Sequence, residues 1–74
     1  MHKQYYIIWS YIYNLINHKD GIKKPWVVKC EGSMETWIFP TLGNAKEWVA
    51  KQDDGDLCGT DTSEMEFLEK RKGA

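Results

Sequence analysis

The chain has few cysteines, few prolines and no long apolar run. Of its 74 residues two are Cys and two are Pro. Two cysteines, Cys30 and Cys58, are too few for a disulfide framework, and they form no Cys-x-x-Cys pair. The most apolar stretch, residues 5–16, is interrupted by polar side chains, lacks a small-residue cleavage site and is too short to cross a bilayer. We therefore expect a cytoplasmic protein with reduced thiols and no membrane segment.

Catalytic and metal-binding signatures are also missing. His2 and His18 fall in different segments, without a partner at ligand or general-base spacing, and there is no glycine-rich phosphate loop. The segment Asp54-Gly-Asp-Leu-Cys-Gly59 partly matches a calcium loop, but Cys58 and Met65 stand where such a loop needs oxygen ligands. We expect no enzyme activity, cofactor, metal or small-molecule substrate, and we interpret residues 54–59 as a solvated acidic turn.

Aromatic residues are what the chain has in quantity, at 14% of its length. A chain this short buries only about 60% of its unfolded surface, so large rings that each bury roughly 150–250 Å² are an effective way to fill a core. Charge is divided along the chain, since residues 1–30 hold five Lys and one acid, whereas residues 53–74 hold seven acids. We predict a single domain over residues 1–74, with a βββα core at 4–52 and an acidic turn and short helix at 53–74.

The N-terminal run of residues 5–13 fits two patterns. Its apolar residues match a helical stripe, and its alternate residues match the face of a strand equally well. Composition favours the strand, because nearly every residue is β-branched or aromatic. An exposed edge of this kind would aggregate, so we expect residues 5–13 to lie inside the sheet and not at its edge.

Turn residues divide the following segment into two more strands. Asp20-Gly21 predicts a type I′ hairpin turn, which would join the first strand to a second at about residues 24–30. A turn at residues 31–33 then leads to a third strand at about 34–39. Its alternation predicts Trp37 and Phe39 on one face, with Thr36 and Ile38 on the other.

A change of apolar period after Phe39 predicts a helix. Pro40 ends the strand and Thr41 can cap the helix through its hydroxyl. One helical face carries Leu42, Ala45, Trp48, Val49 and Gln52. A second, short helix of about ten residues is predicted near the C-terminus, where Ser63 and Glu66 have the spacing of a capping box. The expected fold class is α+β: a three-stranded antiparallel β-meander with one helix packed on a face and a short C-terminal helix.

Two segments resemble a DNA-binding family. Gly21-Ile-Lys-Lys-Pro-Trp-Val-Val-Lys29 and Phe39-Pro-Thr-Leu-Gly-Asn-Ala-Lys-Glu-Trp48 are similar to the AP2-like arm-type domains of phage and transposon integrases, over about residues 5–52. The resemblance implies a three-stranded sheet that enters the DNA major groove, with contacts from Lys23, Lys24 and Lys29. The chain departs from the pattern in having no Arg in the sheet, Ile38 before Phe39, and Gly43-Asn44 after Thr41.

A second hypothesis is binding to a protein partner, including self-association, and we favour it over nucleic acid. In size and layout the chain is similar to small phage-encoded inhibitors of host machinery, including anti-CRISPR proteins, which implies binding and inhibition of a host protein. A strand with aromatics on both faces leaves rings that one helix cannot cover, and an acidic segment can meet a basic surface. The candidate contact residues are Tyr6, Tyr11, Tyr13, Asp54, Asp56, Asp61 and Glu64.

Overall fold

The computed structural model describes residues 3–72 and shows an α+β protein with four strands and three helices in that range. In chain order these are β1 (Lys3–Trp9), α1 (Tyr11–Leu15), β2 (Trp26–Cys30), β3 (Thr36–Phe39), α2 (Leu42–Lys51), β4 (Gly55–Asp61) and α3 (Ser63–Lys72). The strands form one mixed sheet in the order β3-β2-β1-β4. β2 is antiparallel to both β1 and β3, and β4 is parallel to β1.

The predicted meander is confirmed for β1, β2 and β3, although it is only part of the sheet. In the middle of β2, Val28 stands opposite Ile7 of β1 and Trp37 of β3. Partners in register point to the same side, and Ile7 and Val28 are the largest fully buried side chains. This register confirms the predicted face that Trp37 shares with Phe39.

Helix α2 covers that face, as the apolar stripe predicts. The Thr41 hydroxyl accepts a hydrogen bond from the Asn44 amide at 3.1 Å, so the predicted cap is confirmed. Ala45 and Val49 are buried against the sheet, and Trp48 packs at the border of this core. The core therefore lies between α2 and one face of the sheet.

The prediction of a strand over residues 5–13 is wrong in its second half. The strand ends at Trp9, and Tyr11–Leu15 is a short helix. Ser10 causes the change: its backbone is extended, and its hydroxyl accepts a hydrogen bond from the Tyr13 amide, which caps α1. Tyr11 and Tyr13 are therefore residues of a helix, and the prediction that they are uncovered rings on the face of a strand is wrong.

The predicted hairpin turn at Asp20-Gly21 is also wrong in type. A type I′ turn needs positive φ at both residues; Gly21 has φ 74°, but Asp54 is the only described non-glycine residue with positive φ. Instead, the Gly21 amide donates to the His18 carbonyl at 2.8 Å, and Asp20 Oδ1 accepts from the Ile22 amide at 3.0 Å. The turn lies within a long connection between β1 and β2.

The predicted acidic turn at residues 54–59 is mostly strand β4. It pairs with β1 from Lys3–Gly55 to Ile8–Asp61, with one register shift beside Tyr5 and Tyr6. Gly55 allows the close approach of β4 to α2, because a Cβ there would lie 3.0 Å from the Val49 carbonyl oxygen. β1 thus has a neighbour on each side, which meets the expectation that it lies inside the sheet.

Candidate functional site

Helix α1 turns its apolar side chains toward solvent. None of its five residues is buried, and Tyr11, Ile12 and Leu15 are 42%, 69% and 56% exposed. Residues four apart share one face of a helix, so Leu15 extends the apolar surface that begins at Tyr11. Contiguous apolar patches larger than a few hundred Å² are rare on soluble monomers and commonly mark interaction sites, so the exposed side chains of α1 are candidate contacts.

Backbone hydrogen bonds, not buried side chains, hold α1 in place. The Ser10 amide donates to the Pro25 carbonyl at 2.8 Å, which ties the start of α1 to the residue before β2. The Ile16 amide donates to the Tyr13 carbonyl and closes the other end. A five-residue helix is too short to be stable alone, so these bonds and the Ser10 cap fix its position.

A groove of about 420 Å³ separates Tyr11 from helix α3. We call it the α1–α3 groove; it is lined by Tyr11, Ser63, Glu64, Phe67, Leu68 and Arg71. Phe67 is 60% exposed, and the Arg71 guanidinium lies 5.8 Å from the centroid of its ring. This distance is within the range of a cation–π interaction, so the charged side chain and the ring lie close together at the groove.

Asp61 fixes the start of α3 at this groove. Its Oδ1 accepts hydrogen bonds from the Ser63 hydroxyl at 2.6 Å and the Ser63 amide at 2.9 Å. These two bonds hold the pKa of the Asp61 carboxyl below its ordinary value. Ser63 is itself the first helical residue, so the prediction that it caps the helix is wrong, although the helix is confirmed.

Glu64 and Arg71 place opposite charges at the two ends of the groove-lining side of α3. Seven residues separate them, which is about two helical turns or roughly 10 Å along the axis. Within the part of the chain that the structure describes, neither side chain forms an ion pair. Both charges are thus available to a partner at the surface of the groove.

Metal clusters and membrane-spanning helices are not found between residues 3 and 72. No group of three or more His, Cys, Asp or Glu in that range is placed to hold a metal ion, and no helix there is long and apolar enough to cross a bilayer. No family model, curated protein or solved structure matches this chain. The candidate site is therefore defined by its own geometry.

Among the residues proposed from sequence, Tyr11 and Glu64 meet at the α1–α3 groove. Tyr6 lies on β1, where its hydroxyl contacts Gln4 Oε1 at 3.4 Å. The pKa of Tyr6 is raised by desolvation and then by the negative charge of Glu31. Tyr6 and Asp61 line a separate depression of about 290 Å³ between β1 and β4, so these two residues are brought together at a different place.

The remaining proposed residues do not join either group. Tyr13 lies on α1 and is half-buried, but it does not line the α1–α3 groove. Asp54 precedes β4 and Asp56 is its second residue, whereas Asp61 is its last residue. The acidic residues therefore do not form one continuous surface.

The sequence did not predict Phe67, Leu68 and Arg71 as contact residues, although all three line the groove. A signal for them was present, because positions 64, 67, 68 and 71 have the spacing of one helical face. The structure leaves Phe67 mostly exposed.

The three lysines that the DNA-binding resemblance implies are not all on the sheet. Lys23 and Lys24 lie in the connection before β2, because the strand begins at Trp26 and not at residue 24. Lys24 Nζ is 3.4 Å from Asp20 Oδ2, which offsets its charge locally. Lys29 is exposed on β2 and is paired in register with Tyr6.

Proposed function

We propose that this chain is a non-enzymatic protein-binding module that contacts its partner through the α1–α3 groove and the exposed residues of α1. The observation that supports it most is the placement of Tyr11 and Phe67, two exposed rings that line the same groove. Aromatic side chains are enriched at protein interfaces because they supply a large, rigid contact area. Their exposure in the free chain leaves that area available to a partner.

The chemistry of the groove indicates what a partner presents. Apolar surface from Tyr11, Phe67 and Leu68 favours an aliphatic or aromatic side chain as the central anchor. Glu64 and Arg71 favour flanking charges of opposite sign to their own, which give register and specificity more than raw affinity. Binding and inhibition of a host protein is one form of this proposal and stays a prediction from size and composition.

Affinity capture with matched variants tests the proposal. We expect Tyr11→Ala and Phe67→Ala to remove captured proteins that the wild type retains, without loss of folding, because both rings are exposed. Met34→Ala is the control, since Met34 is fully exposed in the connection before β3. Retention of the same proteins by all three variants, each folded by circular dichroism, would overturn the proposal.

The alternative, a nucleic-acid-binding module, makes a different prediction. Phosphate contacts cause retention on heparin or duplex DNA that falls steeply with added salt. Lys29→Ala would then weaken that retention, while Lys46→Ala, on α2, serves as the control. Elution of the wild type without retention at about 50 mM salt, where such binding is strong, would remove this alternative.

A further inference from the structure

The groove-lining side of α3 is complementary to itself. Read forward it presents Glu64, Phe67, Leu68 and Arg71, and read backward it presents Arg71, Leu68, Phe67 and Glu64 with the same spacing. If two copies of α3 lie antiparallel about a point between residues 67 and 68, each Glu64 faces the Arg71 of the other copy. Each Phe67 then faces a Leu68.

We propose that the partner of the α1–α3 groove is a second copy of this chain, joined through an antiparallel pair of α3 helices about a two-fold axis. This inference rests on the proposed function and names its partner. Two-fold dimers use the same patch on both subunits, so that residue i contacts j and j contacts i. Self-complementarity of charge is what such an interface requires.

The charges of α3 fit this antiparallel arrangement. Among the described side chains of residues 3–71, Glu64 and Arg71 have no ion pair, and the dimer would pair each Glu64 with the Arg71 of the other copy. In the same register, Glu66 of one copy is level with Glu69 of the other copy. Neither residue lines the groove. Like charges are thus kept away from the contact, where their repulsion would oppose association.

The groove is also large enough to hold an apolar side chain of the second copy. The groove, at about 420 Å³, has space for a side chain and not for a whole helix. Phe67 of the second copy therefore enters between Tyr11 and Leu68, and the reverse contact forms by symmetry. The contact uses few side chains from each copy, and small interfaces are typical of weak complexes, so we expect a dimer that dissociates on dilution.

Charge-reversal variants test the register directly by sedimentation equilibrium. Glu64→Lys places two cations at each end of the contact, and Arg71→Glu places two anions there. We expect each single variant to weaken dimerisation by at least about tenfold. A one-to-one mixture of the two variants restores opposite charges at both ends, so it should form a mixed dimer.

Controls separate this contact from a general effect of charge. Glu66→Lys and Lys70→Glu make the same charge changes in the first and last turns of α3 but do not line the groove, so both should remain dimeric. Circular dichroism establishes that each variant is folded. A wild type that is monomeric at its highest soluble concentration, single variants that still dimerise, or a mixture that stays monomeric would each overturn the proposal.

The two proposals fail in distinguishable ways. A monomeric wild type whose capture of another protein depends on Tyr11 and Phe67 would remove the second copy and leave the groove as a protein-binding site. If Glu64→Lys leaves the dimer unchanged, and if Tyr11→Ala and Phe67→Ala leave the captured proteins unchanged, both proposals fail. A dimer that follows the charge pattern supports both.

Discussion

Tyr5 of β1 and Trp48 of α2 meet edge to face, with ring centroids 5.6 Å apart and an interplanar angle of 87°. Trp48 also lies 4.7 Å from Trp37 of β3, measured between ring centroids. One helical ring thus contacts an inner strand and an edge strand together. In a chain too short for a large core, this contact is a main attachment of α2 to the sheet.

Truncation of this ring tests the attachment. We expect Trp48→Ala to lower the free energy of unfolding by about 3 kcal/mol, since Trp-to-Ala changes at packed sites cost about 3–5 kcal/mol and Trp48 is half-buried. Urea denaturation measures the change. Lys46→Ala, an exposed site on the same helix, should stay within about 0.5 kcal/mol of wild type. Equal stabilities for the two variants would contradict this packing.

Glycine at position 55 is needed for the approach of β4 to the core. A Cβ there would lie 3.1 Å from Tyr5 Cε2 and 3.0 Å from the Val49 carbonyl oxygen. We expect Gly55→Ala to destabilise by about 1–3 kcal/mol, as overpacking does. At Gly59 the nearest atom, Tyr6 Cδ1, is 3.9 Å away, so Gly59→Ala should be neutral or stabilise by up to about 1 kcal/mol. Thermal unfolding of both variants checks the order.

Loss of the Thr41 cap of α2 and loss of the Ser10 cap of α1 should have different effects on the protein. Thr41→Ala removes the cap of α2, which packs on the core, so we expect it to lower global stability by about 1 kcal/mol. Ser10→Ala removes the cap of α1, none of whose residues is buried. Its loss should fray α1 and weaken partner binding with little effect on global unfolding. Native-state hydrogen exchange of the Tyr13 amide, beside denaturation curves, measures both effects.

Asp61 should make the start of α3 sensitive to acid. Because hydrogen bonds from Ser63 lower the pKa of the folded carboxyl, its stabilising effect is complete above the unfolded pKa of about 3.9 and is lost as pH falls through the folded pKa. We expect fraying at the start of α3 in that acidic range. Asp61→Asn should remove this pH dependence. An NMR titration that gives Asp61 an ordinary or raised pKa would contradict it.

Local patterns were sufficient to predict α2 and β3. Thr41, the stripe that includes Ala45 and Val49, and the alternation at Trp37 are short-range features whose partners lie within one element. Ser10 was harder, because its neighbours are β-branched or aromatic and favour a strand. Its cap is a single hydrogen bond to Tyr13, and it decides where β1 ends.

Strand β4 could not be read from its own residues. Gly55, Asp56, Gly59 and Asp61 belong to types depleted in strands, and the pairing partner β1 is about fifty residues away in the chain. One indirect signal was available. A three-stranded meander leaves its first strand at an edge, so the expectation that β1 lies inside the sheet already required another strand beside it.

The candidate site was predicted only in part, because it too depends on contacts between distant segments of the chain. Glu64 and Tyr11 were named from composition, without knowledge that β4 brings α3 beside α1. Tyr13 was expected on an exposed strand face and instead lies half-buried on a helix. The groove is assembled only by the tertiary arrangement, in which Asp61 ends β4 and its carboxylate holds Ser63 at the start of α3.

The most direct test of the α1–α3 groove is site-specific photo-crosslinking in cells that express the protein. A photoreactive phenylalanine analogue replaces Phe67 in one variant and Lys46, an exposed residue of α2, in another. Protein recognition through the groove predicts a defined crosslinked product from position 67, to a second copy or to another protein, and none from position 46. Identical products from both positions, or products from position 46 alone, would contradict it.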